Sequence, residues 1–139
     1  MARDFILWPM GGLALLTFIV LLLIPVRRFR AAFAGKVTPA DFKLGESANV
    51  PAYTSLANRN YMNLLELPVL FYVICLMYYV TDRVDVLNYR LAWAYVGFRA
   101  LHSVIHVTFN HVFTRLTVFV LSNITLATMW VLFYAQRPY

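Results

Sequence analysis

Cysteine is nearly missing from this chain: Cys75 stands alone in 139 residues. A lone thiol excludes an intrachain disulfide and any CxxC or multi-cysteine metal site, and among Ile74, Leu76 and Met77 it reads as packing. Charge is scarce as well. Charged residues make up 13% of the chain, about half the share of a soluble domain, so an ordinary water-facing surface is excluded. Acidic residues number six against twelve Lys and Arg. The basic excess forms no aromatic-interleaved stripe, which argues against a nucleic-acid partner. The six Pro and five Gly are dispersed and mark neither a long linker nor a repeat, so residues 1–139 read as one domain.

What fills the sequence is hydrocarbon: 62% of residues are hydrophobic and the mean hydropathy is +0.68. Four apolar stretches, Phe5–Val26, Tyr53–Val80, Val84–Phe109 and Leu116–Tyr134, each approach or exceed the ~20 residues a bilayer core requires. The expected fold is all-α, an integral membrane four-helix bundle. The first stretch is longer than a signal-peptide core and lacks a small-residue cleavage site, so it is expected to stay as a span. Arg27, Arg28, Arg30, Lys36, Lys43 and Arg59 gather between or at the facing ends of the first two spans. By the positive-inside rule the 27–52 loop is then cytoplasmic and both termini lie on the outer side. The Arg27, Arg28 and Arg30 cluster reads first as a topology signal and a contact for anionic lipid. Trp93, Tyr95, Tyr78, Tyr79, Trp130 and Tyr134 near span ends suggest an aromatic belt. Thr114, Thr117, Thr125 and Thr128 on one face of span four suggest a helix–helix contact.

Against this apolar background, ionisable groups stand out, because one at the centre of a span costs about 2.5–3.5 kcal/mol on insertion scales and usually marks a functional site. In span two, Arg59, Asn63 and Glu66 fall within about 60° of one another around a helix axis. Pro68 follows and predicts a bend, since it leaves the Leu64 carbonyl without its helical donor. In span three, Tyr95, Arg99, His102, His106 and Asn110 form a second stripe, with Arg115 opening span four. Two such stripes complement each other, and Asn63 could bridge Arg59 to Glu66. A buried polar network that only fixes helix register is one reading of them; a binding site is the other. Three arginines and one carboxylate suit an anionic ligand carrying one amine, a zwitterionic peptide-like molecule. A metal at His102 and His106, with Glu66 or His111, would have a thin ligand set, so no metal site is expected. Ser103 beside a histidine lacks the GxSxG elbow and third member of a nucleophilic triad.

The segment Arg59-Asn60-Tyr61-Met62-Asn63-Leu64-Leu65-Glu66-Leu67-Pro68 and the set Arg99, His102, His106, Arg115 together resemble the membrane-associated proteins in eicosanoid and glutathione metabolism, the MAPEG family, in its bacterial form. The resemblance covers nearly the whole chain. It implies a homotrimer of four-helix subunits in a bacterial inner membrane, with glutathione as cosubstrate between neighbouring subunits near the cytoplasmic face. Arg59, Asn63, Glu66, Arg99, His102 and His106 would bind glutathione, and Arg115 would stabilise its thiolate. The implied activity is a glutathione-dependent transferase or peroxidase acting on hydrophobic electrophiles or lipid hydroperoxides. Met62 stands where some relatives have a further Arg, Leu67 where others have an aromatic, and His106 where a Tyr is common. Those departures keep a second expectation open, a non-catalytic scaffold or accessory subunit of a larger membrane complex. Nothing in the residues selects the leukotriene or prostaglandin substrates of some relatives.

Overall fold

The computed structural model describes residues 1–136, so residues 137–139 of the expected domain lie outside the described residues. A 3-10 turn over Arg3–Ile6 leads into α1, Leu7–Phe33. This helix outruns its apolar stretch: Arg27, Arg28 and Arg30, expected in a loop, ride on its last two turns. Gly35 stops it at φ 70°, with its N–H on the Ala32 carbonyl and the Lys36 N–H on the Ala31 carbonyl, both at 3.0 Å. That paired closure needs a left-handed residue, which glycine adopts without Cβ strain. The loop that follows folds around Asp41, whose carboxylate accepts from the Thr38 N–H and the Ser47 hydroxyl at 2.7 Å each. These bonds, the Thr38 N–H first among them, hold the Asp41 carboxyl below its ordinary value.

The second pass is two helices. α2 covers Ala52–Leu65 and α3 covers Pro68–Val80, with Glu66 at ψ −100° between them. The expected bend at Pro68 is thus a break, and it falls on the carboxylate that the sequence singles out. α3 ends on Asp82 at φ 55°. α4, Val86–Val107, starts under the Asp85 side chain, which accepts from the Asn88 N–H at 2.7 Å. α5, Val112–Ala135, is capped by His111.

Segments Arg3–Phe33, Ala52–Val80 and Val112–Ala135 are long and apolar enough to cross a membrane. α4 has the length, 22 residues, but spends its inner face on Asn88, Arg99, His102, Ser103 and His106, all buried. A helix walled in by apolar neighbours can carry that polar stripe without presenting it to lipid. α4 packs along α5, and α1 along α2 and α4. The core joins Leu13, Leu64, Phe71, Tyr95, Leu126 and Met129 from all five helices, and buried Cys75 lies within it, as packing. At Gly12 an added Cβ would come 3.2 Å from the Trp93 ring, so glycine there permits the close approach of α1 to α4.

Several surface expectations are corrected. Tyr78 and Tyr95 are fully buried rather than at a belt. The Tyr78 hydroxyl donates to the Met129 carbonyl at 2.8 Å, and the Tyr95 ring stacks on Phe71 at 4.6 Å. Of the four threonines only Thr125 is buried, whereas Thr114, Thr117 and Thr128 are exposed; Thr117, Thr125 and Thr128 each donate to the carbonyl four residues back. These three hydroxyls are satisfied within α5, so the expected contact face is reduced to buried Thr125 within this chain. Arg27 turns inward, donating to the Tyr53 carbonyl at 2.6 Å and the Val107 carbonyl at 2.7 Å. It joins α1 to the start of α2 and the end of α4.

Candidate functional site

Both stripes meet in one cleft. Its volume is about 460 Å³, and Arg59, Asn63, Glu66, His102, His106 and Arg115 all line it. α2 supplies the first two and ends at the third; α4 supplies the histidines and α5 the last arginine. The helical period places Asn110 on the α4 stripe, but α4 ends at Val107. Asn110 instead sits in the turn at φ 47°, a left-handed conformation that asparagine tolerates better than most residues. From there its side-chain carbonyl accepts a hydrogen bond from Arg115 Nη1. Asn110 therefore aims the guanidinium that lines the cleft.

Arg99 stands behind the wall rather than in it. It is fully buried, donates through Nη2 to the Asn63 carbonyl, and lies 5.7 Å from the Phe119 ring centroid. Asn63 and Phe119 are both lining residues, so Arg99 supports two of them at once. The expected complementarity of the stripes is partly realised, through the Asn63 backbone and not its side chain. The one ion pair among the described residues, Arg28 with Glu46, is outside the cleft. Arg59 and Glu66 are exposed and are not bridged by Asn63.

Unspent hydrogen-bonding capacity surrounds the cleft. Arg99 Nε and Nη1, His102 Nδ1 and His106 Nδ1 are buried with no partner among the described residues, a costly state for groups removed from water. The imidazoles of His102 and His106 lie 5.6 Å apart, nearly perpendicular, and His102 also sits 5.6 Å from Phe119. His111 is turned away, its Nδ1 2.9 Å from the Thr114 hydroxyl. Among the described residues no three His, Cys, Asp or Glu side chains converge as metal ligands do.

Four residues of the region were not predicted from the sequence. Val112, Leu116 and Phe119 line the cleft, but an aromatic or aliphatic residue in an apolar span carries no distinguishing mark. Asn60 is fully buried and accepts from the Ser103 hydroxyl at 3.2 Å. A signal existed there, because two small polar residues inside spans commonly pair across helices. Ser103 thereby has a structural partner.

The cleft is within the range of about 300–1,000 Å³ that suits small-molecule sites, and its polar groups fit a peptide-like anion: guanidiniums of Arg59 and Arg115 as donors to carboxylates, Glu66 as acceptor from an ammonium, Asn63 and the imidazoles for amides. Searches of curated proteins and of solved structures found no match to the chain. A family model, described as MAPEG family, matches residues 6–135. The cleft and its two stripes are thus those of a membrane protein that belongs to the MAPEG family.

Proposed function

We propose that this protein is a membrane glutathione-dependent transferase or peroxidase whose second substrate is a hydrophobic electrophile or lipid hydroperoxide. The observation carrying this reading is the convergence of Arg59, Asn63, Glu66, His102, His106 and Arg115 on one cleft. Glutathione, when bound, supplies a thiol nucleophile. Arg59, Asn63, Glu66 and the histidines hold the peptide, and Arg99 fixes Asn63 and Phe119 from behind. Arg115, aimed by Asn110, stabilises the thiolate over the thiol, and the thiolate is the reactive form. Apolar Val112, Leu116 and Phe119 complete the lining and suit a substrate arriving from the bilayer.

Arg59 and Glu66 are exposed on one chain, a state a bilayer would not tolerate at depth. A neighbouring subunit covering the cleft resolves this, in keeping with a homotrimer. The basic end of α1, with Lys36 and Lys43 in the loop after it, favours a cytoplasmic side for the 27–52 segment, and the family resemblance extends this to a bacterial inner membrane. Calorimetry of the purified protein should register glutathione binding, and Arg115→Ala should lose transferase activity. No heat at millimolar glutathione, or full activity in Arg115→Ala, would remove the proposal.

A further inference from the structure

Of the three arginines that close α1, only Arg27 is consumed by the fold, through its two carbonyl bonds. Arg30 lies over the Tyr53 ring at 5.7 Å. Arg28 points elsewhere, into the angle between α1 and the 34–51 loop. There the loop leaves a groove of about 480 Å³ whose lining is mainly apolar: Ile24, Pro25, Phe29, Ala32 and Phe42, with Arg28 the one charge. Ile24 and Pro25 belong to the apolar run of α1, so the groove opens from hydrocarbon depth, and Arg28 stands one turn further on. Stacked Phe29 and Phe33 are exposed beside it, as expected of rings at a membrane boundary.

Arg28 is held by a ring and by an ion pair with Glu46, but its fork makes no hydrogen bond. Its guanidinium carbon lies 4.7 Å from the Phe42 ring centroid, and Glu46 Oε1 is 3.6 Å from Nη2, too long for a hydrogen bond. Its Nε is buried with no partner. Lys36 lies in a polar hollow that meets the groove at Val37 and Thr38. A planar fork fixed at the mouth of an apolar groove matches a phosphate with an acyl chain attached.

The structure assigns this groove as a binding site for one anionic phospholipid, its acyl chain along Ile24, Phe29 and Phe42 and its phosphate on Arg28. This is a built site, distinct from the diffuse attraction that any basic segment exerts on an anionic leaflet. It is also separate from the cleft, sharing no lining residue with it.

The test is retention of lipid after extraction from nanodiscs of mixed phosphatidylcholine and phosphatidylglycerol, read by native mass spectrometry. Wild-type protein should keep one phosphatidylglycerol per chain in preference to phosphatidylcholine. Arg28→Gln should lower that retention about tenfold, and Ala32→Trp should do the same by filling the groove with Arg28 intact. The double variant Arg30→Gln/Lys43→Gln, which removes more charge, should retain lipid within about twofold of wild type. Equal retention of the two lipids, or loss in the double variant as large as in Arg28→Gln, would overturn the site in favour of diffuse attraction. Release of the lipid by millimolar glycerol phosphate would also overturn it, because a headgroup alone would then suffice.

Discussion

Arg27→Ala tests the most consequential contact outside the cleft. The Arg27 fork donates to the Tyr53 carbonyl at 2.6 Å and to the Val107 carbonyl at 2.7 Å, and Val107 is the last residue of α4. A hydrogen bond from a charged group contributes about 1.5–3 kcal/mol, so the two set an upper bound of about 3–6 kcal/mol. A cation at a helix C-terminus adds about 0.3–1 kcal/mol. Arg27 is half-buried, and water reaching the freed carbonyls offsets part of the loss, which leaves an expected destabilisation of about 2–4 kcal/mol. Arg27→Lys, with a point charge that cannot span both carbonyls, should lose about half of that. Reversible unfolding of the micelle-bound protein by added sodium dodecyl sulfate reads these differences, with Arg28→Ala as a neighbour that holds no such bonds. If Arg27→Ala and Arg28→Ala unfold within about 0.5 kcal/mol of each other, the assignment of Arg27 as a strut is wrong.

Asn110→Gly keeps a residue suited to φ 47° while removing the acceptor that aims Arg115. On the proposed mechanism a guanidinium set loose stabilises a thiolate less, so the acid limb of the pH profile of the proposed transferase activity should move to higher pH, by up to about one unit; an unchanged profile would refute the aiming role. Asp82→Gly should stabilise the protein by about 0.5–1 kcal/mol, since φ 55° there is strained for a side chain and free for glycine. Asp85→Ala should instead cost about 1 kcal/mol by removing the cap on Asn88 N–H, and the two belong in one unfolding series. The Asp41 carboxyl titrates below its ordinary value of 3.8 because the native loop bonds its charged form. Its contribution is therefore complete above that pH and is lost as pH falls through the lowered value. Amide exchange in the 34–51 loop should stay slow at pH 5 and accelerate only in stronger acid, whereas Asp41→Asn should be fast at both; equal exchange in the two proteins at pH 5 would sink this account.

The passes and the cleft were legible in the sequence for one physical reason. Hydrocarbon penalises every ionisable group in it, so the few that occur are conspicuous. Arg59, Asn63 and Glu66 could be aligned by helical period alone, as could His102 and His106, and the structure brings both sets to one cleft. What escaped was whatever depends on where a helix stops. Asn110 shares the α4 period on paper, but α4 ends three residues before it. The left-handed turn that puts its carbonyl on Arg115 leaves no mark in periodicity. Arg99 looked like a lining residue because angle around an axis says nothing about depth, and the bulk of Phe119 in front of it is known only once α5 is placed.

The same limit explains the basic cluster at the end of α1. Arg27, Arg28 and Arg30 are near-neighbours of one charge, and a rule that counts positive residues treats them alike. On a helix, successive residues are turned by about 100°, and that rotation separates them. Arg27 faces the bundle and meets two carbonyls, Arg28 faces the groove, and Arg30 lies over Tyr53. Had α1 ended at Val26, as its hydropathy suggests, all three would hang in a loop with no fixed direction. The helical continuation to Phe33, closed by Gly35, turns a topology signal into one strut, one ligand-facing fork and one ring contact. Shifting that register by inserting a single alanine after Val26 should therefore damage stability and lipid retention together while leaving the charge count, and hence the orientation in the membrane, unchanged.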